Sequence, residues 1–209
     1  MSPSAQNGAF LSFEGIDGSG KSTQSRLLAQ SLRDLGHPVT LTREPGGSAG
    51  AEEIRALVLQ GDPDRWSAET ELLLFTAARR DHLEKTIRPA LARGEIVITD
   101  RFADSTRMYQ GLRGNLASTV NSLHDLMIGT EPDLTFLVDL DPETGLSRAL
   151  GRNGTEQRFE DMGLAVQKQM RAGFLALAAL HPRIRIIDGA RDPATIAAEI
   201  LSLTLAQLS

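Results

Sequence analysis

Short apolar, β-branched runs alternate along the chain with longer stretches in which apolar residues recur every three or four positions. The runs AFLSFEG (9–15), PVTLTR (38–43), EIVITD (95–100), LTFLVDL (134–140) and RIRIID (183–188) are predicted as five buried strands. Helices are predicted over 20–35, 49–60, 67–93, 103–128, 142–152, 161–180 and 192–208. Gly36 follows the first as a stop, and Asp141-Pro142 and Asp192-Pro193 open two others with a cap and a proline. Strands alternating with helices are joined by crossovers, so the sheet is parallel and both of its faces are covered. There is no internal repeat and no linker rich in Pro, Gly or Ser; the one loosely patterned stretch is GRNGTEQR (151–158). The expectation is one doubly wound α/β domain over 1–209, with 1–8 as a flexible start.

Composition adds exclusions. A chain of 209 residues that is 41% hydrophobic and 23% charged suits an ordinary globular domain. Its net charge of −5 argues against a nucleic-acid or membrane-surface partner. Without cysteine there are no disulfides and no thiolate metal sites. The start MSPSAQNG lacks the basic and apolar segments of a signal peptide, and no apolar run approaches the roughly 18 residues of a membrane span. A cytoplasmic location is expected. Nineteen arginines stand against three lysines, Lys21, Lys85 and Lys168. Genome bias accounts for that excess more readily than planar, bidentate phosphate recognition does.

The first strand runs into FEGIDGSGKST (13–23), in which Gly15, Gly20, Lys21 and Ser22 fit G-x-x-x-x-G-K-[ST]. By residue frequency the pattern arises by accident in on the order of 1% of chains this long, before a strand and a helix are required on either side. The loop Gly15, Ile16, Asp17, Gly18, Ser19, Gly20, Lys21, Ser22 and Thr23 is thus expected to bind nucleotide phosphates. Its backbone N–H groups gather at a helix N-terminus, and glycines keep the close approach open. Lys21 supplies a point charge and Ser22 a hydroxyl for Mg²⁺.

A phosphate cradle does not by itself choose between a switch GTPase, an ATP-driven machine and a phosphotransferase. No Asn-Lys-x-Asp is present to read guanine, and the strand EIVIT ends in Asp100-Arg101 rather than Asp-Glu. An arginine beside a metal-binding carboxylate suits a second, acceptor phosphate, which points to a small-molecule kinase.

Further motifs carry a resemblance. TREPGG (42–47), LLFTAARRDHL (73–83), DRFADSTRMYQG (100–111) and PDLTFLVDLDPETGLSRA (132–149) resemble, in order, the motifs of bacterial thymidylate kinases, and the similarity runs from about 9 to about 190. The resemblance implies a P-loop NTPase fold: a five-stranded parallel sheet with helices on both faces and a short mobile lid at about 148–160. It implies ATP and Mg²⁺ as cofactors, dTMP as acceptor, dTDP as product, and a homodimer.

Phe75 and Arg79, four apart, share a helix face. On spacing alone they read as a core phenylalanine beside a surface arginine; the resemblance implies stacking on thymine and donation to a base carbonyl. Phe102, Thr106, Tyr109 and Gln110 fall on one side of a helix, where Phe102 and Tyr109 are equally suited to a core. The family implies that Gln110 meets the base and that Tyr109 lies under the sugar. Arg101 would clamp the acceptor phosphate and Asp100 would help hold Mg²⁺. Phe102 stands where the family usually has Tyr, and Arg107-Met108 replace smaller residues, which is expected to reshape the pocket wall. Arg43, Glu44, Pro45 and Arg55 are implied around the monophosphate, with Glu44-Pro45 a candidate cis bond, and Asp17 at the 3′-hydroxyl.

The loop holds no arginine between Gly15 and Lys21, so the resemblance implies a catalytic arginine in the lid, Arg152 or Arg158. Arginines at a helix end also complement its dipole without further role. His37, His82, His124 and His181 match no metal spacing and are expected to be structural or exposed, and Trp66 to pack. A kinase for another nucleoside monophosphate or a deoxynucleoside, and a regulatory protein using ATP as a switch, remain as alternatives.

Overall fold

The computed structural model describes residues 8–62, 65–151 and 163–208. Five strands, β1 (Phe10–Glu14), β2 (Val39–Arg43), β3 (Ile96–Asp100), β4 (Leu134–Asp139) and β5 (Ile184–Asp188), form one parallel sheet in the order β2-β3-β1-β4-β5. The buried strands read as near-continuous apolar runs because both faces are covered. From β1, Leu11 and Phe13 enter one core with Leu28 and Leu32 of α1 (Lys21–Asp34) and Ile196 and Ile200 of α9 (Pro193–Leu208). Phe10, from the same strand, turns to the other face and meets Phe102 edge-on, centroids 4.9 Å apart, with Leu83, Ile87 and Val97 beside it. Between two central strands the buried hydroxyls of Ser12 and Thr135 satisfy each other at 2.8 Å.

The remaining helices are α2 (Ala49–Leu59), α3 (Ala68–His82), α4 (Arg88–Ala92), α5 (Ala103–Leu112), α6 (Ala117–Leu123), α7 (Pro142–Leu150) and α8 (Gly163–Leu180). The helix predicted over 67–93 is continuous but carries a π turn at Leu83–Ile87 between α3 and α4. The single helix predicted over 103–128 is broken. After α5 the chain turns at Arg113–Asn115, where Gly114 (φ 71°) and Asn115 (φ 58°) are left-handed, and a second π turn follows α6 at His124–Ile128. Apolar periodicity continues on both sides of the break and hides it. No helix among the described residues is long and apolar enough to cross a membrane.

β1 and β3 are neighbours, with Phe13 opposite Asp100, and β2 places Arg43 opposite Asp100 on the other side. The C-terminal ends of these three strands therefore bring 15–23, Glu44-Pro45 and Asp100-Arg101 to one edge, where open α/β sheets hold their ligands.

Candidate active site

A cleft of about 580 Å³ opens at that edge. The 15–23 loop walls one end; α3 and α5, with Phe75, Arg79, Thr106, Tyr109 and Gln110, wall the other. Arg43, Glu44, Pro45, Arg55, Asp100 and Arg101 line the middle.

At the loop end no side chain caps α1, whose N-cap is Gly20, so its leading N–H groups face the hollow. Gly20 has φ 103°, and a Cβ built on it would meet nothing within 4 Å. It would project into the cradle itself. Gly18 has a different reason to be glycine: at φ 77° its Cβ would lie 2.0 Å from the Gly145 carbonyl of α7. The loop residues thus divide. Asp17, Gly18, Gly20, Lys21, Ser22 and Thr23 line the cleft. Gly15, Ile16 and Ser19 are not among the lining residues. Ile16 packs with Leu137, Met170 and Phe174, its carbonyl accepts Lys21 Nζ at 2.7 Å, and Ser19 Oγ lies 3.5 Å from the same nitrogen. Burial, with the Arg101 charge, lowers the Lys21 pKa to about 8 against the pull of Asp17, Asp100 and Glu14.

Arg101 is held on all sides. Its backbone is left-handed (φ 72°), a conformation that a non-glycine residue adopts at a cost. Nη1 donates to Gly15 O at 3.2 Å and Ser105 Oγ at 2.9 Å; Nη2 pairs with Asp17 and reaches the Tyr109 hydroxyl at 3.2 Å. Tyr109 in turn donates to Asp17 Oδ2 at 2.8 Å. Burial would raise the Asp17 pKa, but Arg101 and Lys21 together hold it below the usual carboxylate value.

Arg79 is 5% exposed and equally fixed: Nε pairs with Glu44 Oε2 at 2.7 Å, and Nη2 donates to Phe102 O at 3.1 Å and Thr106 Oγ1 at 2.9 Å. The expected cis bond is present at Glu44-Pro45. Arg55 donates to Pro45 O, and Arg43 pairs at the surface with Glu52 at 3.1 Å. Phe102 is a buried core residue that also lines the cleft. The expected reshaping by Arg107 and Met108 is not seen. Arg107 turns to Asp104 and Glu131, Met108 packs toward α8, and neither lines the cleft. Arg152 and Arg158 lie outside the described residues; Arg148 is exposed on α7.

Sequence reasoning named Asp17 and Glu44 but missed Glu14 behind these donors. Glu14, buried at the end of β1, accepts Phe102 N (2.8 Å), Ser105 N (3.2 Å) and Ser105 Oγ (2.6 Å), and so caps α5 and steadies Arg101 through Ser105. Burial and the Asp104 charge push its pKa up to about 7. His82, expected to be structural, bridges Glu44 (3.0 Å) and Thr42 (2.8 Å) beneath Arg79. Its position three residues after Arg79 was the only available signal. Trp66 is half-buried and donates to Leu57 O at 3.1 Å.

For a divalent cation, one oxygen is waiting. Asp100 Oδ1 is buried without a hydrogen-bond partner, in the cleft that Ser22 also lines. Among the described residues no group of three or more His, Asp or Glu could hold a metal. A carboxylate and a hydroxyl suit a hard cation that takes its other ligands from phosphate and water.

The Thymidylate kinase family model matches residues 13–200. A thymidylate kinase of Ruegeria pomeroyi is 70% identical over 204 residues, covering 97% of each chain. One of Dinoroseobacter shibae is 63% identical, covering 96% of this chain and 99% of its own. The crystal structure of thymidylate kinase from Ehrlichia chaffeensis superposes with a TM-score of 0.76 at 36% identity, over 95% of this chain and 99% of that one. A cleft with a P-loop at one end and an aromatic, arginine and glutamine at the other, a matching family model and relatives alike over nearly their whole length have one explanation: the chain belongs to the thymidylate kinase family.

Proposed function

We propose that this chain phosphorylates dTMP to dTDP with ATP, as one kinase domain over 1–209 that works in the cytoplasm as a homodimer. The observation that carries the reading is the continuity of the cleft from the 15–23 loop, past Asp100-Arg101, to Phe75, Arg79 and Gln110. Two nucleotides laid end to end along it would bring their phosphates together at Arg101.

The acceptor is a phosphate already ionised at neutral pH, so no general base is required. An acceptor phosphate oxygen attacks the γ-phosphorus as the bond to the β–γ bridging oxygen breaks, and ADP leaves with that electron pair. Lys21 and the N-terminus of α1 hold the outer phosphates of ATP. Arg101, locked by Asp17, Ser105 and Gly15, holds the acceptor phosphate in line, while Arg43 and Arg55 flank it. Tyr109 and Asp17 set the sugar, and Phe75, Arg79, Thr106 and Gln110 the base. Ser22 and Asp100 would hold Mg²⁺, which neutralises charge between the phosphates. Because the donors are fixed before substrate arrives, little reorganisation accompanies the reaction.

The test is ADP release with ATP and Mg²⁺ against dTMP, dUMP, dCMP, CMP, AMP and GMP, with product identified. Release driven by dTMP, yielding dTDP, is expected. Release indifferent to acceptor would overturn the proposal.

A further inference from the structure

A glutamine amide presents a donor on one side and an acceptor on the other, and whatever holds one side decides which the ligand meets. Gln110 Nε2 donates to Glu71 Oε1 at 3.0 Å. Glu71, on α3 one turn before Phe75, is 0% exposed. Its Oε2 accepts Arg113 Nη1 at 2.7 Å, and Arg113 Nη2 donates to Trp66 O at 3.2 Å. The break after α5 makes this possible. Left-handed Gly114 packs against Ala68, where an added Cβ would lie 2.9 Å from the Ala68 Cβ, and the turn returns Arg113 to the start of α3. A helix continued through 113 would not.

A carboxylate paired with a guanidinium only accepts. The Gln110 nitrogen must therefore face Glu71, and its Oε1 is left to the cleft that Gln110 lines. Arg79, a guanidinium, offers only donors. The base end thus presents a donor and an acceptor of fixed polarity. That matches a pyrimidine with a 4-carbonyl and an N3–H, and mismatches cytosine, which carries an amino group and a bare N3. We propose that Glu71, anchored by Arg113, is the positioning residue that sets pyrimidine selection by locking the Gln110 amide in one orientation. The inference rests on the reading of this cleft as a dTMP site.

Glu71→Gln tests it, because the new amide can pair with Gln110 in either orientation. Values of kcat/KM for dTMP and dCMP are measured by ADP release, with melting temperature recorded beside them. The dTMP-to-dCMP ratio is expected to fall on the order of 10- to 100-fold, chiefly through KM for dTMP, while dCMP turnover does not fall. Equal losses for both substrates would mean a merely structural Glu71 and overturn the proposal. In a Gln110→Met background, Glu71→Gln should leave the ratio unchanged; an undiminished second loss would also overturn it. Arg113→Gln, at a side chain 29% exposed, supplies a variant should Glu71→Gln not fold. It should lower the ratio severalfold, and an unchanged ratio counts against the clamp. A wild-type enzyme inactive on every pyrimidine monophosphate would remove the functional reading itself. That outcome differs from a selective wild type whose ratio Glu71→Gln leaves untouched.

Discussion

Glu44→Gln cuts the support from under Arg79 while keeping side-chain shape. The Arg79–Glu44 pair, 2.7 Å long, has side chains only 5% and 4% exposed, so solvent screens it little. Breaking a buried pair by removing one partner costs about 3–5 kcal/mol, because the remaining charge is left uncompensated. The amide still accepts from Arg79 Nε, so Glu44→Gln belongs near the lower end, at about 3 kcal/mol, and Glu44→Ala near the upper. In a domain of this size each kcal/mol moves the melting temperature about 2–4 °C, so Glu44→Gln should lower it about 6–12 °C. An Arg79 no longer held should raise KM for dTMP about tenfold, equivalent to about 1.4 kcal/mol, with kcat less affected.

Acid titration separates charge from shape. Burial raises the Glu44 pKa, but Arg79 and His82 outweigh it and hold it below the ordinary 4.5. A depressed folded pKa stabilises above the unfolded value, and that stability is lost as pH falls through the folded one. The melting difference between wild type and Glu44→Gln should be level from pH 6 to 8 and shrink progressively below about 4.5. Thermal denaturation followed by circular dichroism measures it. A difference under 2 °C at pH 7, or one that widens on acidification, would refute the reasoning.

Other perturbations give separate readouts. With the Lys21 pKa near 8, the charged form is lost as pH rises, so kcat/KM for ATP should fall toward tenfold per unit above about pH 8. A profile flat to pH 9.5 contradicts a charged Lys21 in ATP capture. Gly18→Ala places a Cβ 2.0 Å from backbone and should cost more than about 2 kcal/mol in urea denaturation. Gly20→Ala, with open space around it, should cost less and act mainly on KM for ATP; equal destabilisation would count against the division of the loop. Tyr109→Phe removes the hydroxyl that bridges Asp17 and Arg101, and should cost about 1 kcal/mol in stability and raise KM for dTMP severalfold.

All five predicted strands form; the central three are buried and write themselves into the chain as short apolar runs, whereas β2 and β5, predicted as buried, are edge strands and only partly so. The P-loop was legible for the same local reason: phosphate chemistry, a turn and a helix start fall within eleven consecutive residues. The break at Gly114 was not. Leu112, Leu116, Val120 and Leu123 keep helical spacing across it, and a left-handed residue leaves no mark on that pattern. The pairings of the buried acids were hidden for a different reason. Glu14 meets Ser105 across 91 positions, Glu71 meets Gln110 across 39 and Glu44 meets Arg79 across 35. Residue type and spacing mark the side chains that face a ligand; what holds them is decided by tertiary packing.

Those pairings bear on the arginine excess, which composition left open between genome bias and recognition. A lysine ammonium is a point charge, but a guanidinium has edges that can be occupied separately. Arg79 spends Nε and Nη2 on Glu44, Phe102 and Thr106, and Arg101 is held by Asp17, Ser105 and Gly15. Both still line the cleft. An ammonium gathers its three donors at one atom, so it lacks a separate edge to offer a substrate while the carboxylate holds another. Arg79→Lys should therefore keep most of the stability, since the charge remains beside Glu44, yet raise KM for dTMP at least tenfold. Thermal melts and dTMP kinetics on one preparation read both quantities. A lysine enzyme with wild-type KM would show that charge alone suffices at this position, and that its arginine reflects composition rather than the geometry of the fork.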